Sequence, residues 1–294
     1  HPDQRVDDPR ERPLEAQNKA DEAHALGRAG VPAYLDQARI IEIARTTGCD
    51  AVHPGYGFLA ENAVFARAVS NAGLTFIGPN ERALDLFGDK IAARNLAQEV
   101  GVPVIDGVPV RSPDEAMAFM ARIDAPIMLK AVAGGGGRGM RPVRKSNEMT
   151  EAFARCQSEA TSAFGDGSLY AERLIDSARH IEIQILGDRH GDLVHFGERE
   201  CTIQRRNQKL IEVAPSPWLT DALREKIATS ALELARAASY DNLGTFEFLV
   251  DASGSPESVF FAFIEANPRL QVEHTVTEEV RSVDLVQAQI RVAA

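Results

Sequence analysis

Hydrophobic and polar positions change their rhythm along this chain, and the changes mark its parts. Over 32–44 the apolar residues Leu35, Ala38, Ile40 or Ile41 and Ala44 recur at helical spacing, which predicts an amphipathic helix. A short strand over 49–52 runs into the turn His-Pro-Gly-Tyr-Gly-Phe. A helix over 61–72, a strand over 74–77 and a Gly-Pro-Asn turn follow. Asp89 is placed to cap a helix over 90–100, with Ala92, Leu96 and Val100 on one face. This alternation predicts α/β structure wound on a parallel sheet. The segment Gly-Val-Pro-Val-Ile-Asp-Gly-Val-Pro-Val, with Pro103 and Pro109, breaks it and marks a boundary.

The next part reads as a small α+β unit. It has a helix over 113–122, strands over 127–131 and 140–143, a helix over 146–164 and a strand over 168–173. From His180 onward strands dominate, at 180–187, 192–197, 201–205, 244–250 and 259–266, with helices over 220–239 and 283–294. The expected domains are 1–106, 107–178 and 179–294. Residues 1–20 are charged and aperiodic and read as a poorly ordered arm or a replaced segment.

Charge narrows the function. Lys and Arg number 32 and Asp and Glu 43, a net charge of −11, which argues against a nucleic-acid or anionic-membrane surface. No apolar run approaches the roughly 20 residues of a membrane span, and the polar N-terminus has no signal-peptide pattern. The three cysteines are scattered and form no Cys-x-x-Cys pair, which favours a reducing compartment. A cytoplasmic protein is expected; a mitochondrial matrix protein stripped of its transit peptide has the same composition.

Two features carry chemistry. Residues 134–139 hold five glycines in six positions, directly after a strand that ends near Lys130. The stretch fits G-x-G-x-x-G but leads into a strand rather than a helix, and it lacks the Gly-Lys-Ser/Thr of a phosphate-binding P-loop. It reads as a hairpin loop whose bare N–H groups close over phosphates, with Arg138 adding charge, or as a mobile surface turn. The second feature is a pair of carboxylates in apolar strands. Glu247 alternates against Phe246, Phe248 and Val250, and Glu265 ends a second strand with Asn267 two residues on. Buried carboxylates need a partner or a metal, and two of them with a carboxamide make an all-oxygen Mg²⁺ site. The alternative is two glutamates facing water. Arg269, Gln271 and Glu273 share one face if their segment is extended. Arg199, Arg205, Arg206 and Lys209 form either a solvated strand or an anion site. His180, Glu182 and Gln184 alternate with Ile181, Ile183 and Ile185, so one face is core and the other lines something polar.

The segments HPGYGFL, GDK, KAVAGGGGRGM, RHIEIQ, ERECTIQRRNQK, GTFEFL and FIEANPRLQVEH occur in an order and spacing that resemble the biotin carboxylases of the ATP-grasp superfamily, over about 20–294. The resemblance implies an ATP-grasp fold. A truncated Rossmann-like N-terminal domain, a small glycine-loop lid and an incomplete C-terminal domain are expected, so the sequence reads as a piece of a longer chain. It implies an ATP-dependent ligase, the biotin carboxylase component of an acyl-CoA carboxylase. Such a component forms carboxyphosphate from ATP and bicarbonate and then carboxylates biotin.

By the same resemblance, Lys90 and Lys130 contact ATP phosphates. Gly134, Gly135, Gly136, Gly137 and Gly139 form the lid loop, and Met140 packs near adenine. Glu172, Arg173 and Ile175 meet the adenine edge, and His180 and Gln204 lie near ribose and phosphates. Glu247, Glu265 and Asn267 hold Mg²⁺ or Mn²⁺, with two ions expected. Lys209, Arg269, Gln271 and Val272 surround bicarbonate, Glu273 is its base, Arg269 also steadies the biotin enolate, and Tyr56 belongs to the biotin side. Biotin is then a substrate carried on a biotin carboxyl carrier domain, and a carboxyltransferase domain or subunit completes the system. Members often dimerise, which admits a homodimer or larger complex. Asn207 stands where many members have histidine, and Arg281-Ser282 where Thr-Gly is usual. Two alternatives stay open: a nucleotide-binding fragment without turnover, and another carboxyphosphate-forming ATP-grasp ligase.

Overall fold

The computed structural model describes residues 4–7, 20–133, 139–205, 208–254 and 259–294. In the N-terminal part, β1 (Gln4–Asp7) pairs in parallel with β2 (Glu22–Ala25). A strand therefore replaces part of the arm expected over 1–20. Two helices, α1 (Val31–Tyr34) and α2 (Gln37–Thr46), take the place of the one predicted over 32–44. Asp36 divides them, because its side chain accepts from the Arg39 N–H and starts a new helix. Leu35, expected on the apolar face, sits at this break and is 47% exposed. Then come β3 (Ala51–Val52), α3 (Ala63–Asn71), β4 (Thr75–Phe76), α4 (Glu81–Gly88) and α5 (Lys90–Glu99). β3 and β4 are parallel, as the alternation implied. Asp89 caps α5, accepting from Ile91 and Ala92. The buried face of α5 is Ala93 and Ala97, one residue on from the one expected.

The second part is a four-stranded antiparallel sheet made of β5 (Gly107–Val110), β6 (Ile127–Ala131), β7 (Met140–Val143) and β8 (Leu169–Arg173), in the order β5-β8-β6-β7. Helices α6 (Pro113–Ile123) and α7 (Met149–Phe164) cover one face, burying Ile127, Leu129, Phe119 and Phe153. Alternation turns Met128 and Lys130 of β6 to the other face. Gly139 has φ +67°, and a Cβ there would stand 2.9 Å from Ala131 Cβ, so only glycine closes this end of the loop.

The third part is the antiparallel sheet β11-β10-β9-β12-β13, made of β9 (Ala178–Gly187), β10 (Leu193–Arg205), β11 (Gln208–Val213), β12 (Asn242–Asp251) and β13 (Phe261–Asn267). The strands predicted at 192–197 and 201–205 are one strand with an irregularity between His195 and Glu198. Ile181, Ile183, Ile185, Phe246, Phe248 and Val250 form the core face. They pack on α8 (Asp221–Ala237) and α5. Phe246 meets Phe87 and Tyr240 edge-on at 5.2 and 5.5 Å. Each such buried ring stabilises the fold by about 1.5–3 kcal/mol. The chain continues as α9 (His274–Arg281) and α10 (Leu285–Ala293). The segment 269–273 is not extended; it turns at Val272 and Glu273 into α9. Ser282 ends α9 at φ 52°, a left-handed position that glycine fills without strain. Among the described residues no helix is long and apolar enough to cross a membrane.

Candidate active site

The free face of the β5–β8 sheet and the second face of the central sheet enclose a cavity of about 1000 Å³. Pairing of β12 with β9 and β13 sets its floor, because Glu247 lies opposite Glu182 on one side and Glu265 on the other. Their side chains share the face away from Phe246 and Phe248. Glu247 and Glu265 line the cavity and make its floor acidic, with Glu247 buried, the Glu265 side chain 39% exposed and the buried Glu182 one layer behind.

Lysines and an arginine stand around the cavity, two of the lysines on these acids. Lys209, from the edge strand β11, donates to Glu182, Glu247 and Glu273. Lys90, at the start of α5, stands 3.6 Å from Glu265. Lys130 of β6 pairs with Glu172 across the β6–β8 ladder. Arg269 pairs with Glu61 and donates to Asn267 Oδ1 at 3.1 Å. Glu247 is the most heavily bonded acid. Its Oε1 accepts from Asn267 Nδ2 at 2.7 Å and Gln271 Nε2 at 3.0 Å, and its Oε2 lies 2.7 Å from His180 Nε2. Gln204 Nε2 lies 3.0 Å from His180 Nδ1.

Ionisation follows from these partners. Burial pushes Glu247 up, but the His180 hydrogen bond and the charges of His180 and Lys209 outweigh it and hold Glu247 at about 2. Glu182 and Glu265 move the other way, by burial first and by the Glu247 charge next. Burial pulls His180 down, and Glu247 more than restores it, for a net rise. Glu273 is lowered, because Lys209 overcomes burial. Lys209 is raised, because Glu247 and Glu182 overcome burial.

Every described residue expected in the site lines this cavity, except Gly139. These are Tyr56, Lys90, Lys130, Met140, Glu172, Arg173, Ile175, His180, Gln204, Lys209, Glu247, Glu265, Asn267, Arg269, Gln271, Val272 and Glu273. Gly139 sits at the base of the loop, against Ala131 and Phe164. Gly134 to Gly137, Arg138, Arg206 and Asn207 lie outside the described residues. Among the described residues of the basic cluster, Lys209 lines the cavity, Arg199 is buried on Glu182 and Arg205 is exposed.

Of three further residues in the arrangement, sequence placed Glu182 only on a polar strand face and Arg199 only in a basic cluster, and did not mark Glu61 for the site at all. Glu182 carries the same signal as Glu247, a carboxylate inside an apolar alternating strand. The partner of Arg199 becomes visible only through its cross-strand pairing with Glu182. Glu61 has no local signal, because its contact with Arg269 spans 208 residues.

The donor set fits a hard divalent cation. Glu247, Glu265 and Asn267 line one cavity, and Asn267 offers a side-chain oxygen that Arg269 holds at 3.1 Å. Glu265 is raised by burial first and by the Glu247 charge next, both of which a cation offsets.

Residues 6–84 match the family described as "Biotin carboxylase, N-terminal domain", and residues 89–294 match "Carbamoyl-phosphate synthase L chain, ATP binding domain". Pyruvate carboxylase 1 of Caenorhabditis elegans is 54% identical over 94% of this chain, and mitochondrial pyruvate carboxylase of Rattus norvegicus 50% over 94%. The chain spans 23% of the length of each. A crystal structure of a biotin carboxylase–β,γ-ATP complex from Campylobacter jejuni superposes with TM-score 0.93 at 40% identity, covering 99% of this chain and 65% of that one. The biotin carboxylase domain dimer of Hydrogenobacter thermophilus 2-oxoglutarate carboxylase, with MgADP, ADP and bicarbonate, gives TM-score 0.90 at 42% identity, covering 99% and 63%.

Proposed function

Because the chain belongs to the biotin carboxylases of the ATP-grasp superfamily, we propose that its cleft binds ATP, Mg²⁺ or Mn²⁺ and bicarbonate, and carboxylates biotin on a carrier domain. The observation that carries this reading is the cleft itself, where lysines from two sheets and a helix start face an acidic floor.

Lys90 and Lys130 bind the phosphates, exchanging Glu265 and Glu172 for phosphate oxygens. The backbone at Glu172, Arg173 and Ile175 takes the adenine edge, with Met140 against the ring and His180 and Gln204 toward ribose and phosphates. Gly134 to Gly137, with Gly139 at their base, close over the phosphates and exclude water, which a hydrolysable acyl phosphate requires. Glu247, Glu265 and Asn267 would hold the metal, which neutralises charge on the transferring phosphoryl group.

Lys209, Arg269, Gln271 and Val272 orient bicarbonate. Glu273, kept ionised by Lys209, accepts its proton. A bicarbonate oxygen then attacks the γ-phosphorus, the bond to ADP breaks and carboxyphosphate forms. Carboxyphosphate then breaks its C–O bond to give CO₂ and phosphate, and the released phosphate takes the ureido N–H proton of biotin. The enolate so formed, steadied by Arg269 beside Tyr56, adds through that nitrogen to CO₂.

The acceptor of the second half-reaction, on a carboxyltransferase domain or subunit, is proposed to be a 2-oxo acid. Relatives at 47–54% identity are pyruvate carboxylases, which favours that class over the acyl-CoA expected from sequence. The compartment is proposed as the cytoplasm or, as in the rat and mouse relatives, the mitochondrion. The 89–294 match also favours a second reading, a carboxyphosphate-forming ligase that does not use biotin.

The test is ADP release with ATP, Mg²⁺, bicarbonate and free biotin, omitting bicarbonate and biotin in turn. Bicarbonate-dependent turnover that biotin stimulates is expected. Turnover indifferent to biotin supports the second reading, and ATP binding without turnover rejects both.

A further inference from the structure

Beneath the cleft lies a layer to which the proposed reaction assigns no role. Arg199 on β10 and Glu182 on β9 are cross-strand partners, both 0% exposed. Arg199 NH2 donates to Glu182 Oε2 at 3.3 Å, Thr245 Oγ1 at 3.2 Å and Gln271 Oε1 at 3.0 Å. Its NH1 donates to Gln184 Oε1 at 2.7 Å and Thr277 Oγ1 at 2.9 Å. The second oxygen of Glu182 accepts from Lys209. The cavity lining includes Lys209 and Gln271, whereas Glu182 and Arg199 stand one layer behind it.

Lys209 comes from an edge strand, paired on one side only, and a lysine there has a solvent-facing alternative. Three carboxyl groups keep it inward: Glu182, Glu247 and Glu273. Two of them have other work in the reaction. Glu247 belongs to the metal donor set, and Glu273 takes up a proton and with it loses charge toward Lys209. Glu182 is the acceptor left in place throughout.

We propose that Glu182, locked by Arg199, is a positioning residue that aims Lys209 at bicarbonate, and that the same guanidinium fixes the Gln271 amide. Arg199 donates to Gln271 Oε1, so the amide is oriented with Nε2 toward Glu247 Oε1, 3.0 Å away. One buried pair thus sets the direction of two groups on the bicarbonate side of the cleft. The inference rests on reading that end of the cleft as the bicarbonate site.

Glu182→Gln in the whole protein tests it. The shape is kept, but one of the two acceptor oxygens becomes an NH₂ that must face either Lys209 or Arg199, a donor against a donor. The KM for bicarbonate is expected to rise by roughly 10- to 100-fold, while the KM for ATP moves by less than about twofold, because a displaced binding group acts on its own ligand alone. Lys209 is also expected to gain reactivity toward reductive methylation with formaldehyde, read by mass spectrometry of its peptide. An unchanged KM for bicarbonate, or equal rises in both KM values, overturns the proposal. If the wild type shows no bicarbonate-dependent ADP release, the bicarbonate reading of the cleft fails instead. The methylation arm then decides the positioning claim, and unchanged labelling of Lys209 overturns it. Should Glu182→Gln not fold, Glu182→Asp, which keeps both acceptors but withdraws them by one methylene, is scored in the same way.

Discussion

Glu247 and Glu265 are register partners on β12 and β13, and their carboxyl groups are driven apart. His180 and Lys209 hold Glu247 at about 2, whereas burial and the Glu247 charge raise Glu265. Glu247 is thus the ready anion of the pair, and Glu265 is the acid that gains most from a cation. Glu265→Gln is therefore expected to abolish Mg²⁺- or Mn²⁺-dependent ADP release. Near-normal turnover in that variant removes Glu265 from the metal set.

Glu273, the proposed base, is bonded to Lys209 at the start of α9. Glu273→Gln is expected to leave ATP affinity within about twofold and to remove biotin carboxylation, since it deletes a transition-state role rather than a ground-state contact. Fluorescent-nucleotide titration and transfer of labelled bicarbonate to free biotin measure the two halves. Persisting carboxylation assigns the base to another residue.

The sign of the pH dependence follows from Glu247. Its folded value of about 2 lies below the ordinary 4.5, so its contribution to stability is complete above pH 4.5 and is lost as pH falls through about 2. Glu182 and Glu265 are shifted upward, so they oppose stability once ionised, above their ordinary 4.5. Glu247→Gln is expected to lower the urea midpoint at pH 6 and to make the drop between pH 6 and pH 3.5 shallower than in the wild type. A parallel drop in both proteins contradicts the assignment of that acid loss to Glu247.

Phe246 is on the opposite face of β12 from Glu247, with no exposure and with Phe87, Tyr240 and Phe263 around it. Phe246→Ala is expected to cost about 3–5 kcal/mol. Equilibrium urea unfolding measures this, and a cost under about 1 kcal/mol shows that the site collapses to fill the space.

Legibility in the sequence followed the range of the signal. β9, β12 and β13 were readable because strict alternation with a buried face is a local pattern, and the same pattern exposed Glu247 and Glu265. The elements of the second part were readable because proline, glycine and cap residues punctuate them. α4 was not, being eight residues long with its apolar positions crowded at Ala83, Leu84 and Phe87. α9 was not, because Thr275, Val276 and Thr277 are β-branched and only Thr277 is buried. Spacing of two at Arg269, Gln271 and Glu273 suggested an extended face. A turn and the start of α9 bring Gln271 and Glu273 to the same cavity by another route. Most of the site roles came from ordered motifs, while the contacts behind them, Arg199 with Glu182 and Arg269 with Glu61, needed the tertiary structure.

The central sheet has two covered faces of opposite character, one aromatic and aliphatic, the other built from ions and amides. A selection for heat resistance alone would act on the second. A buried ion pair such as Arg199–Glu182 can be exchanged for well-packed apolar side chains with a gain of about 1–4 kcal/mol. Survivors of such a screen are expected to accumulate apolar residues at 182 and 199 and to lose turnover as they gain melting temperature. In this sheet robustness and activity draw on the same few positions, and improving one exhausts the other.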